Sequence, residues 1–156
     1  MLATCHLLAG VAIAASPENP SLTLPAAFFS HFVLDAMPHL ESTTFSNQHK
    51  GVDYYPNKKE VFWAVVDVIV GIIIVIGLYL KTKNPFILFG AFLAVLPDLV
   101  LNIPSWYRLR RLPILKYLYR FHDKIHFNVK PKYWYWGIPL QLILLGAILW
   151  KFFGGF

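Results

Sequence analysis

Cysteine is all but missing from this chain: Cys5 stands alone. An intrachain disulfide is therefore excluded, and the redox compartment is not revealed. Charge is scarce too. Only 14% of the residues are Asp, Glu, Lys or Arg, against roughly 25% in soluble domains. No Lys or Arg precedes Lys50. The apolar stretch 7–15, with its cleavage-like Ala12-Ile13-Ala14, thus lacks the basic region of a signal peptide, and the N-terminus reads as retained. There is no Gly-rich phosphate loop, no serine-nucleophile motif and no cluster of thiolates.

What is present is apolar. Of 156 residues, 57% are hydrophobic and 17% aromatic, which points to a single membrane-embedded domain, residues 1–156, of the all-α integral membrane class. The net charge of +6 comes from basic residues beside apolar segments. Their natural partners are anionic membrane lipids, not nucleic acid.

Residues 2–15 and 22–37 read as two short helices around the turn Ser16-Pro17-Glu18-Asn19-Pro20-Ser21. Both fall short of the roughly 20 residues a perpendicular span needs, so they form either short spans or a re-entrant hairpin. A polar loop is expected over 41–60. Residues 61–80 are the clearest transmembrane helix, with Asp67 as the only charge. After the tight connection Lys81-Thr82-Lys83-Asn84-Pro85, residues 86–103 form another span carrying Pro97, Asp98 and Asn102. The basic, aromatic stretch 105–132 suggests an amphipathic helix lying in the interface. A last span, 133–153, is entered through the aromatic belt Tyr133-Trp134-Tyr135-Trp136. The expectation is a bundle of about five hydrophobic helices plus one interfacial helix. A faint echo links Asn19-Pro20 and Asp35 with Asn84-Pro85 and Asp98, as in a duplicated hairpin. If all five segments span, loops 41–60 and 104–133 share one side with eleven of the 14 Lys and Arg. The positive-inside rule then gives a multi-pass inner-membrane protein with a cytoplasmic N-terminus.

Against this background the ionisable residues stand out, because such groups in apolar segments need partners. His31, Asp35 and His39 are spaced i, i+4, i+8. Each step of four drifts about 40° around a helix and rises about 6 Å, so all three share a stripe. Pro38 ends or kinks the helix and puts His39 at or just past its end. His6, Asp67, Asp98 and Asn102 fall toward the same membrane face, and His122 and His126 add a second i, i+4 pair. That spacing suits a shared transition-metal ion. Imidazole with carboxylate suits zinc, iron or manganese, and without thiolates zinc is the default. Two metals sharing a bridging carboxylate are an alternative to one. The metal candidates are His6, His31, Asp35, Asp98, His122 and His126; Asp67 and His39 would orient water or shuttle protons. The bland readings are a His–Asp pair that only holds a bundle together and histidines exposed on a basic helix. Cys5 reads as a small core residue and His49 as solvated. Arg108, Arg110 and Arg111 are either positive-inside residues or a grip for phosphate.

At these residues the chain resembles the bacterial inner-membrane metal-dependent hydrolases of the LexA-regulated type. The matching motifs are His6-Leu7-Leu8, Leu96-Pro97-Asp98, the pair His122 and His126, and Ser30-His31 with Asp35. The order differs, since the Ser-His-x-x-x-Asp helix comes last in that family and second here. The histidine pair has one intervening residue fewer, and Val100 replaces a carboxylate that usually follows the Leu-Pro-Asp motif. The resemblance implies a small membrane protein with a metal site. Three functions compete: a metal-dependent hydrolase of a lipid or amphipathic (phospho)ester, a metal-ion or proton transporter, and a structural or assembly protein with a buried polar cluster. Transport needs polar groups at several depths, whereas here they gather on one side.

Overall fold

Asparagines and prolines set where the helices begin. Asn19 accepts a hydrogen bond from the Ser21 N–H at 2.9 Å, and Pro20 fills the first helical position, where its missing N–H is no loss. Asn57 accepts from the N–H groups of Lys59 and Glu60, while the Glu60 carboxylate accepts from the Asn57 N–H. This reciprocal box starts a helix inside the stretch 41–60 that hydropathy assigns to a loop. Lys83, in the left-handed region at φ 54, ends it.

The computed structural model describes residues 1–16, 19–41, 56–102, 112–127, 129 and 131–154. These form α1 (Ala3–Ala14), α2 (Pro20–Asp35), α3 (Lys58–Thr82), α4 (Phe86–Asn102), α5 (Pro113–Ile125) and α6 (Trp134–Phe153), with a single 3-10 turn at Pro131–Tyr133. The architecture is all-α, with no strand among the described residues. Much of the basic stretch, Arg108, Arg110 and Arg111 included, lies outside them, as does His49.

α1 is the axis of the bundle. Nine of its 12 residues are buried, against α2, α3, α4 and α6. Gly10 and Gly90 let α1 and α4 meet backbone to backbone, since a Cβ on either would collide with the other's carbonyl. Small residues at a crossing allow close packing even where an apolar solvent gives no hydrophobic driving force. Around this contact Leu8, Val11, Val75, Leu78, Ile87, Ala91, Val95 and Ile148 form the main apolar core.

The contacts also fix direction. Thr4 of α1 meets Asp67 of α3, and Leu7 meets Gly71. Gln141 of α6 reaches Leu2 and Cys5, and Lys151 reaches Ala12. The N-terminal parts of α1, α3 and α6 therefore share one end of the bundle with the C-terminal ends of α2 and α4. α3 and α6 are long and apolar enough to cross a membrane, and only 17% of each apolar window is buried. Ile69, Ile72, Ile73, Ile76, Leu142 and Ile143 face outward instead. α1 and α4 are apolar but shorter.

Candidate metal centre

At the shared end, Asp35 in the last turn of α2 is the hub, 1% exposed. Its Oδ2 lies 3.2 Å from His31 Nε2 and 2.9 Å from His122 Nε2. Asp98 of α4 closes the group, its Oδ1 at 3.7 Å from His31 Nε2 and 3.9 Å from His122 Nε2. The other oxygen of Asp35, Oδ1, faces His126 Nε2 at 3.8 Å and His39 Nε2 at 3.9 Å. It also lies 2.6 Å from the Met1 ammonium and 3.1 Å from His6 Nε2. Two sets of donor atoms result, His31–Asp35–Asp98–His122 and Asp35–His39–His126, each gathered within 4.8 Å.

The histidines are aimed by their other nitrogens. His31 Nδ1 lies 2.8 Å from the carbonyl oxygen of Ala94, next to the Leu93 carbonyl that Pro97 leaves without a helical donor. A carbonyl only accepts, so Nδ1 carries a proton and Nε2 is the nitrogen that faces Asp35. His39 is fixed likewise, Nδ1 at 2.7 Å from the Met37 carbonyl oxygen. An imidazole N–H held by a backbone carbonyl is the usual support of a metal-ligating histidine. Burial, and then the Met1 ammonium, push His39 from the usual 6.5 down to about 3, so it is neutral near pH 7. The two ends are tied together by the Phe127 N–H, which donates to the Asp35 carbonyl oxygen at 2.7 Å.

The separations test whether an ion fits. With metal–nitrogen bonds of about 2.0–2.1 Å and tetrahedral angles, neighbouring donors sit about 3.3 Å apart. His31 and His122 bring their Nε2 atoms to 3.1 Å, and His39 and His126 theirs to 3.3 Å. His122 Nε2 lies closer still to Asp35, at 2.9 Å.

Of the residues singled out in the sequence, seven converge: His6, His31, Asp35, His39, Asp98, His122 and His126. His6 belongs to neither donor set. It stacks on His31 with ring centroids 4.2 Å apart, faces Asp35 through Nε2, and its buried Nδ1 has no hydrogen-bond partner among the described residues. Asp67 stands apart from the cluster. Its carboxylate accepts from the N–H groups of Ala3 and Thr4 and from the Thr4 hydroxyl, at 2.5, 3.3 and 2.7 Å. The reason is physical: α1 starts inside the bundle, its first N–H groups need acceptors, and α1 has no cap of its own. Gln141 serves the same end by accepting from the Leu2 N–H at 3.3 Å. Sequence reasoning gave no role to Glu41, whose Oε2 lies 3.7 Å from His126 Nε2. The signal was its place two residues after His39, just beyond Pro38.

Compared with family models, curated proteins and solved structures, the chain has no match.

Proposed function

We propose that this is a multi-pass membrane protein and a metal-dependent hydrolase acting on a lipid or amphipathic (phospho)ester at the cytoplasmic leaflet. One observation carries the reading: donor atoms of His31, Asp35, Asp98 and His122, from three helices, converge at coordination spacing. A nitrogen and oxygen set of this kind suits zinc first, then iron or manganese. Such an ion, when bound, supplies a nucleophilic water at neutral pH and polarises the substrate's phosphoryl or carbonyl oxygen.

The chain's own residues do the rest. Asp35 and Asp98 supply the negative charge that favours a divalent cation, and the Ala94 carbonyl keeps His31 in the ligating tautomer. Asp67, by capping α1, holds His6 and the helix axis in register with Asp35. α5 carries His122 and also Lys116, Arg120 and Lys124, with Ile114, Tyr117 and Phe121 exposed along one side. An amphipathic helix of this type lies at headgroup depth, and its cations would hold a substrate phosphate near the ligands.

The outward-facing apolar surfaces of α3 and α6 support membrane insertion, and the basic stretch supports a cytoplasmic N-terminus. Kinship with the inner-membrane hydrolases is part of the same reading, since each matching motif contributes a residue to the cluster. The apolar core beyond Gly10 and Gly90 favours hydrolysis over transport, because a conduction path needs polar groups along its length.

The test is turnover by detergent-purified protein on phospholipid, lysolipid and polyprenyl-phosphate substrates. Chelator-sensitive product release that is lost in Asp98→Ala is the expected outcome. A metal-loaded preparation inert across the panel contradicts the reading.

A further inference from the structure

The cluster has an internal repetition. His31 and His39 flank Asp35 four residues to either side, and His122 and His126 repeat that spacing on the facing segment. The result is two rungs. The first pairs His31 with His122 at 3.1 Å, and the second pairs His39 with His126 at 3.3 Å. Asp35 lies between them, with Oδ2 on the first rung and Oδ1 toward the second, where the Met1 ammonium at 2.6 Å and His6 at 3.1 Å also meet it. Each rung has its own further carboxylate, Asp98 beside the first and Glu41 beside the second. Each also has one histidine locked by a backbone carbonyl, Ala94 for His31 and Met37 for His39.

We infer that the second rung, His39, His126 and Glu41 with Asp35 Oδ1, binds a second divalent metal ion, so that Asp35 bridges a dinuclear centre. This rests on the hydrolase reading for its purpose and deepens it.

The chain path explains why the rung forms. α2 stops at Asp35 and Pro38 prevents its continuation, so His39 does not simply extend the helical stripe. The segment turns back under α6, where Gly137 admits it: a Cβ there would lie 2.6 Å from the His39 carbonyl carbon. His126 caps the C-terminal end of α5 one turn beyond His122, and the Phe127–Asp35 hydrogen bond holds it level with Oδ1. His39 is 1% exposed, and its Nε2 faces His126 Nε2 at 3.3 Å.

Charge points to the substrate. Asp35, Asp98 and Glu41 provide three negative charges against two divalent ions and the Met1 ammonium, which leaves the centre net positive. An anionic group, a phosphomonoester or phosphodiester, therefore suits it better than a neutral ester. Two ions bridged in this way stand about 3.5–4 Å apart, the spacing that holds both the attacking and the leaving oxygen of a phosphoryl group.

Manganese(II) alone, added to the full detergent-solubilised chain, tests this without substrate. Wild-type protein should take up two ions per chain and give an exchange-coupled electron paramagnetic resonance spectrum. His126→Ala should keep one ion with an isolated-ion spectrum, and Glu41→Ala should weaken the second ion about tenfold or more. Saturation of the wild type at one ion, two uncoupled ions, or a coupled spectrum surviving in His126→Ala would overturn the inference. Should a variant fail to fold, the wild-type spectrum decides alone. A coupled pair in an inactive protein defeats only the hydrolase reading, and an active protein with one ion defeats only the dinuclear one.

Discussion

The two ends of α1 live in different chemistry. Its C-terminal half, from Leu8 through Val11 to Ala14, packs against apolar side chains and the Gly90 backbone, with Lys151 donating to the Ala12 carbonyl oxygen at its edge. Its N-terminal half, Met1 to His6, meets two aspartates, a glutamine and a stack of imidazoles. The apolar end is held by shape, so a changed volume harms it in proportion to the space left or invaded. The polar end is held by mutual satisfaction around Asp35, so removing one member leaves the others buried without partners. One end resembles a scaffold, the other a site that the scaffold makes rigid enough for metal binding.

Substitutions sharpen that contrast. The largest effect belongs to Asp35→Ala, which removes both carboxylate oxygens at once. Metal content should fall to background, and the metal-free protein should lose about 3–5 kcal/mol, as when one partner of a buried charged pair is removed. Elemental analysis and denaturant titration would read the two effects separately, and full metal occupancy would reject the hub.

Leu8→Ala probes the opposite end. Leu8 is fully buried, and its truncation should cost about 2–5 kcal/mol through the cavity left. The folded fraction should retain its metal and its affinity. A specific loss of metal affinity would mean that the two ends are not separable.

Asp67→Ala lies between. It removes the external cap of α1 and should cost about 0.5–2 kcal/mol, with a modest fall in metal affinity as Met1 to His6 loosen. A loss of turnover with stability and affinity unchanged would instead point to a chemical role for Asp67.

A further effect is one of pH. In the folded protein His39 is held down to about 3, against a usual 6.5. Between those values the unfolded chain binds the extra proton, so stability contributed here falls as pH drops below about 6.5. The metal-free wild type should therefore lose stability on acidification more steeply than His39→Gln. Parallel curves for the two proteins would remove His39 from the buried network.

Much of this was legible in the sequence because helical spacing is local. The i, i+4 pairs and their apolar surroundings identify His31 with Asp35 and His122 with His126, and Asp98 follows from its place near a helix end. What stayed hidden depends on tertiary contact. Asp67 looks like an intramembrane acid, but nothing local says that the first N–H groups of α1 will arrive beside it. Glu41 looks like the start of a loop until the turn at Pro38 brings it toward His126. The partition of Asp35 into two oxygens facing two rungs is a property of packing alone. The capping box at Asn57 and Glu60 was local and readable, but hydropathy pulled the helix start to residue 61 instead of 58.

The central claim is that the buried Asp35 cluster is a metal site and not merely a structural polar knot. Thermal unfolding of the purified protein, with its metal content measured before and after chelation, tests it most directly. The account predicts at least one divalent ion per chain, a lower unfolding temperature on chelation, recovery on adding zinc, and no response in Asp35→Asn. A folded wild type that takes up no ion at saturating zinc, with an unchanged unfolding temperature, would contradict it.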